Sequence, residues 1–192
     1  MRSQADLFAG EEAPVRLPEG VVYETDFITV REETDLAGKI SALDLKPFSF
    51  QGFLGNRRTA SFGWRYDFNG GGLQQADPMP EFLKAVRERA ARLAGIAPEE
   101  FQHALAIEYA PGAGIGWHKD RPQFGKVVGV SLLNPCRFRF RRRDGGRWER
   151  LALNAAPRSA YLLDGPGRWE WEHSIPPVDA LRYSVTFRTM RA

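Results

Sequence analysis

The sequence predicts an α+β fold in which helices of the first half pack on a β-barrel or double-sheet jelly roll built by the second half. Its 192 residues are 43% hydrophobic and 27% charged, an ordinary globular composition that excludes disordered, collagen-like and coiled-coil chains. Helical apolar stripes occur only before residue 96. From Phe101 onward, short apolar runs follow one another between Pro and Gly turns. Many short strands need their edges covered, and closure of the sheets does this. No internal repeat and no second core pattern interrupts the chain, which divides into an acidic arm over 1–20 and one domain over 21–192. A chain of this length buries about 70% of the surface it exposes when unfolded, so its core needs no staples.

Each element has its own reason. Residues 1–20 are acidic, carry Pro14 and Pro18 and lack periodicity, which predicts a flexible arm. Val21 to Val30 alternates as a strand does, and Glu32 to Leu45 places Leu36, Ile40 and Leu43 on one helical stripe. Ser49 to Phe68 is aromatic and punctuated by glycine, which predicts strands and turns, with a loop at Gly70-Gly71-Gly72. Pro80 opens the strongest helix; Phe82, Leu83, Val86, Ala90 and Leu93 form its stripe and Gly95 stops it. No helix pattern recurs after it. The predicted strands are 104–109, 127–133, 137–141, 148–153, 159–163, 169–175 and 182–189.

Charge is more informative by place than in total. Residues 1–38 hold three basic and nine acidic side chains, whereas the remainder holds 24 basic and 15 acidic, so the net +3 hides a basic body. Seven arginines lie between Arg137 and Arg150 against Asp144 and Glu149. Such a body attracts polyanions, or else its arginines are a solvated face. In Arg137 to Arg141 the alternation predicts Phe138 and Phe140 inward and the arginines outward, where they can meet phosphates. The lone Cys136 cannot form an internal disulfide and suits a reducing compartment, and no 18-residue apolar run or signal-peptide pattern is present. The expected location is the cytoplasm.

The chemistry gathers around His118-Lys119-Asp120, where extended backbone projects an imidazole and a carboxylate from one face. The Pro111-Gly112 turn before it aims that face. His173 offers a third ligand. Two imidazoles and one carboxylate with open positions suit non-haem iron(II), and a water-activating zinc is the other possibility. In Arg182 to Arg188, the period of two puts Arg182, Ser184, Thr186 and Arg188 on one face and Tyr183, Val185 and Phe187 on the other. Facing inward, such a row needs an anion such as a dicarboxylate; facing outward, it is ordinary surface. Trp117 and Trp171 flank the ligands as candidates to wall the site from water. His103 and Cys136 read as structural.

These motifs, with Asn56 to Trp64 upstream, resemble the AlkB-type iron(II)- and 2-oxoglutarate-dependent dioxygenases over roughly residues 20–190. The resemblance implies a double-stranded β-helix core carrying a strand and loop lid over the substrate. It implies Fe(II) on His118, Asp120 and His173, and a cosubstrate held by Tyr109, Arg182, Ser184 and Arg188, with Arg182 on its far carboxylate. Arg57, Arg58, Trp64 and Tyr66 fall in the lid as substrate contacts. The implied reaction uses O2 and 2-oxoglutarate to oxidise a methyl group on an alkylated nucleic-acid base, in DNA or RNA repair or RNA modification. Alternatives are hydroxylation of a protein or small molecule, or a non-catalytic nucleic-acid or clamp-binding module. Gln4-Ala5-Asp6-Leu7-Phe8 is similar to bacterial sliding-clamp docking motifs. Two departures stand out. Ile107 replaces a polar cosubstrate contact, and Pro122 replaces an acidic residue near the damaged base, removing an acceptor for an exocyclic amine.

Overall fold

A computed structural model describes residues 16–50, 53–67 and 70–191. The Gln4 to Phe8 motif and most of the arm lie outside these residues. In chain order the elements are β1 (Val21–Glu24), α1 (Val30–Ser41), β2 (Lys46–Phe50), β3 (Phe53–Phe62), β4 (Trp64–Asp67), β5 (Gly72–Gln75), α2 (Lys84–Ala94), β6 (Phe101–Tyr109), β7 (Ile115–His118), β8 (Phe124–Leu132), β9 (Cys136–Asp144), β10 (Arg147–Ala155), β11 (Ala160–Leu163), α3 (Gly165–Trp169), β12 (Glu172–Ile175) and β13 (Arg182–Met190).

Seven strands form a major sheet in the order β1-β11-β8-β13-β6-β3-β2, and four form a minor sheet, β10-β9-β12-β7. The β4–β5 hairpin stands apart. The two sheets are the jelly-roll core that the sequence predicts. One apolar cluster packs α1 and α2 on the outside of the major sheet, around Ile40, Leu83, Ala90, Val185 and Phe187. A second fills the space between the sheets, around Phe138, Phe140, Tyr161 and Trp171. With both faces covered, β13 is buried from Arg182 to Arg188. Its polar row therefore faces the barrel interior, not solvent.

Several boundaries differ from expectation. The first strand ends at Glu24, because the helix already begins at Val30 behind an N-cap at Thr29. Thr29 Oγ1 accepts from Glu32 N at 3.2 Å, and Glu32 Oε2 accepts from Thr29 N at 2.8 Å, closing a capping box. Pro80 precedes one 3₁₀ turn, Glu81–Leu83, before α2 proper, which ends on Gly95 at φ 65°. Gly70 to Gly72 includes the turn of a hairpin whose second strand starts at Gly72. Contrary to expectation, a helix does recur late: α3 replaces the start of the strand predicted over 169–175. It is a single turn, set by Asp164 accepting from Gly165 N at 2.9 Å with Pro166 in its first turn. Five residues are too few to show a 3.6 period.

Arg89 of α2 donates to Glu32 and, at 3.0 Å, to the Phe27 carbonyl, so the cap of α1 is also the tie between the helices. The hydrogen bonds from Arg89, then from Thr29, hold the Glu32 carboxyl down to about 2. A carboxyl depressed in the folded state adds stability above its unfolded pKa near 4.5, and that stability is lost as pH falls towards 2. Glu32→Gln is expected to lower the melting temperature by a few degrees at pH 7, up to about 1 kcal/mol for the lost ion pair with Arg89, because glutamine can still close the capping box. In a series of thermal melts the difference from wild type shrinks as pH drops below 4.5; a constant difference would exclude the ion pair as its source.

Candidate metal centre and substrate cleft

β7 and β12 pair antiparallel with His118 opposite His173, so the register of the minor sheet alone brings two imidazoles together. Their ring centroids are 4.3 Å apart. Asp120 follows β7 by two residues, and the ligand atoms of His118, Asp120 and His173 all lie within 4.8 Å of one another. Gly114 permits this approach: a Cβ there would lie 2.6 Å from the Ile175 carbonyl oxygen, inside contact distance. His118 Nδ1 donates to the Gly116 carbonyl at 2.9 Å, which leaves Nε2 with a free lone pair on the Asp120 side, 4.0 Å from Oδ1.

Protonation favours a cation at this point. Burial, reinforced by neighbouring His118, pushes His173 down to about 3, and burial also lowers His118. Burial by itself would raise Asp120, but the charge and hydrogen bonds of Arg188 overcome it and hold the carboxyl far below its ordinary range. Two neutral imidazoles and one carboxylate are the deprotonated donor set that a divalent metal requires. Three protein ligands of this kind fit non-haem iron(II), which keeps positions open.

The row on β13 continues the site. Arg188 donates to both Asp120 oxygens, at 3.3 and 3.4 Å, and its Nη1 lies 3.4 Å from His103 Nδ1. At the other end of the row Arg182 is 1% exposed, under the Tyr109 ring at 5.0 Å. Its Nη2 donates to Ser131 Oγ at 2.7 Å, whereas Nε and Nη1 are buried with no partner in the protein. Two orphaned donors on a buried guanidinium fit a carboxylate. Tyr109, Ser184, Thr186 and Arg188 line a narrow inner cavity with the three metal-ligand candidates. Ile107, the apolar departure, lines it too.

A larger cleft, about 1750 Å³, opens outward from the same point. Arg57 and Tyr66 line it; Arg58 and Trp64 are not among its lining residues. Alternation along β3 explains Arg58. Arg57 stands on the Tyr109 rung facing inward, so Arg58 faces the helix side and pairs with Glu108 at 2.7 Å. Two further residues join the site. His103, which reads from sequence as structural, is opposite Arg188 in register and lines the cleft, neutral because burial drives its pKa well down. Arg121 reaches over the Tyr66 ring at 4.7 Å and so spans cleft wall and lid. The period-two signal that marks Arg188 also marks His103 once β6 and β13 are paired, but the pairing is not written in either strand. Trp171 is a core residue of the barrel, whereas Trp117 lines the cleft. Burial raises the Cys136 thiol, as suits an inert core residue.

A family profile described as the 2OG-Fe(II) oxygenase superfamily matches residues 26–191. The alkylated DNA repair protein ALKBH8 homolog of Arabidopsis thaliana is 26% identical over 198 residues, covering 90% of this chain. The chain spans 56% of that relative's length. Among solved structures, OsALKBH1 superposes with a TM-score of 0.68 at 16% identity, covering 91% of this chain and all of that one. A Pseudomonas putida prolyl-4-hydroxylase superposes at 0.60 and 15% identity, covering 90% and 93%. At these identities the structural matches show the fold.

Arg182→Met removes a buried charge that the protein leaves half-paired. The metal-free variant is therefore expected to melt no lower than wild type. Its affinity for 2-oxoglutarate is expected to fall about 100-fold, the scale of lost hydrogen bonds between charged groups. Anaerobic calorimetry and thermal melts measure both; unchanged affinity would remove Arg182 from the cosubstrate site.

Proposed function

The chain belongs to the 2OG-Fe(II) oxygenase superfamily, in its AlkB-type branch, and from that premise we propose that it oxidatively demethylates alkylated bases of nucleic acid, in repair or in RNA modification. One observation carries the choice of polymer. On the outer face of the minor sheet, guanidinium groups and indoles alternate in a continuous stack. Arg139 and Arg141 lie 4.9 and 4.5 Å from Trp117, and Arg141 and Arg143 lie 4.3 and 4.5 Å from Trp148. Glu172 pairs with Arg141, but Arg137, Arg139 and Arg143 have no carboxylate partner among the described residues. Trp117 also lines the cleft, so the basic aromatic face runs to the metal centre. Stacking surfaces interleaved with cations suit single-stranded nucleic acid.

When bound, Fe(II), 2-oxoglutarate and O2 supply the oxidising power that converts an N-methyl group to N-hydroxymethyl as the keto acid becomes succinate and carbon dioxide. The hydroxymethyl then breaks down to formaldehyde and the free base. His118, Asp120 and His173 would hold the metal, and Arg188 keeps Asp120 ionised for it. Arg182 would pair with the cosubstrate's far carboxylate beneath Tyr109. Arg121 and Tyr66 together hold the lid against the wall, limiting water at the reacting methyl. The cytoplasm, a reducing compartment, suits the unpaired Cys136. Gln4 to Phe8 is proposed as a sliding-clamp contact on its sequence pattern.

Pro122 in the cleft wall favours a second reading, hydroxylation of a protein or small molecule. The two separate experimentally. On the nucleic-acid reading, methylated oligonucleotides stimulate succinate and formaldehyde formation, and His118→Ala abolishes both. Trp148→Ala is expected to weaken binding of a single-stranded oligonucleotide about tenfold, one stacking contact's worth. Succinate formation that no nucleic acid stimulates would overturn this reading in favour of the second.

A further inference from the structure

Trp169 is one of the few large apolar side chains that the described surface leaves exposed, at 37%, and it stands among cations. It ends α3, the single-turn helix that packs on β1 and β8. The Arg168 guanidinium lies 4.2 Å from its ring centroid, and that of Arg191, just past β13, lies 4.6 Å from it. Arg168 is committed to the main-chain carbonyls of Arg121, Phe124 and Gly125, so it is a fixed support for the ring. Arg191 is exposed. A third cation, Lys119, is exposed as well; it donates to the Trp169 carbonyl at 2.9 Å and also lines the substrate cleft. The carboxylates of these segments are engaged elsewhere: Glu170 with Arg142, Glu172 with Arg141, and Asp120 with Arg188. Among the described residues no ion pair involves Lys119, Arg168 or Arg191.

A lone exposed apolar residue is ordinary, but an open indole beside cations that lack carboxylate partners attracts a ligand with both an aromatic face and negative charge. A nucleotide has both. Trp117 and Lys119 flank His118 in the chain and lead from the cleft in different directions: Trp117 to the arginine and indole stack of the minor sheet, Lys119 to Trp169 beside β8 and the end of β13. Building on the demethylase reading above, we infer that Trp169, Lys119 and Arg191 form a second stacking platform, for the nucleotide that flanks the methylated base on the side away from Trp117 and Trp148. The base of that nucleotide lies on the indole, and its phosphates face Lys119 and Arg191. The strand thus crosses the mouth of the cleft held on both flanks, with the methylated base turned inward between them. Neither platform reads base edges, so the grip tolerates any flanking sequence. What it selects is a strand that continues in both directions; a free nucleoside engages neither platform, and a terminal methylated base engages one.

Single-stranded oligonucleotides with a central 1-methyladenine and about five nucleotides on each side, then with one flank or the other removed, test this by fluorescence anisotropy on the metal-free full chain, where no turnover intervenes. Trp169→Ala is expected to weaken binding of the full strand about tenfold and Trp169→Phe to keep part of that affinity. Removing one flank is expected to abolish the effect of Trp169→Ala while leaving that of Trp148→Ala, and removing the other flank to do the reverse. Arg191→Gln is expected to reduce the slope of log Kd against log salt by about one, as the loss of one phosphate contact does. A Trp169→Ala loss of equal size on all three strands, as a general disturbance of α3 would give, overturns the inference, and so does no loss on the full strand. Either result leaves the demethylase reading in place. Formaldehyde release by the iron- and 2-oxoglutarate-loaded protein tests that reading separately: strands that bind through both platforms and yield none, whatever methylated base they carry, overturn the demethylase reading and not the platform.

Discussion

Asp120 is a carboxylate that burial works to neutralise, and the pairing with Arg188 keeps it ionised. Without that guanidinium, the cost of holding a charge among Phe124, His103 and the barrel wall would raise its pKa, and a protonated carboxyl is a poor metal ligand. The pairing in turn requires β13 to present Arg188 inward, and β13 can do so only as an interior strand of the major sheet. Helices on one face and the barrel interior on the other follow from that one need. The neutral imidazoles opposite are the complementary half of the arrangement: burial that threatens the carboxylate is what keeps them unprotonated.

The same economy of charge divides the interior into two chambers. The inner one is lined by Tyr109, and behind that ring lies Arg182 with two donors left open for a carboxylate; the outer one passes Arg57. Between them sits Asp120, whose charge Arg188 already answers. A diacid would satisfy Arg182, which the protein alone leaves half-paired. Stability and selectivity are therefore opposed here, as they are wherever a fold leaves buried donors open for a ligand.

Much of this was legible in the residues themselves. The apolar stripe ending at Gly95, the alternating Phe138 and Phe140, and the polar row from Arg182 to Arg188 each carry a period that survives folding, and each appears where its period places it. His118 and Asp120 could be read as one bite because two residues of extended chain fix their directions. What could not be read was anything set by pairing across strands. His103 joins Arg188 only through the register of β6 with β13, and Arg58 leaves the cleft only because Arg57 takes the Tyr109 rung. The late helix escaped for a different reason, since one turn capped by Asp164 has no second turn in which to repeat.

That short helix has a consequence of its own. Arg168 of α3 is 3% exposed and donates to the main-chain carbonyls of Arg121, Phe124 and Gly125 at 2.8, 2.6 and 2.9 Å, while Lys119 reaches back to the Trp169 carbonyl at 2.9 Å. The segment following the aspartate ligand is thus fastened by its peptide groups, whatever side chains it bears. A lineage can exchange residues at 121 to 123, including the proline, without shifting the ligand beside them, so that what the enzyme recognises is free to drift while the means by which it reacts stays put.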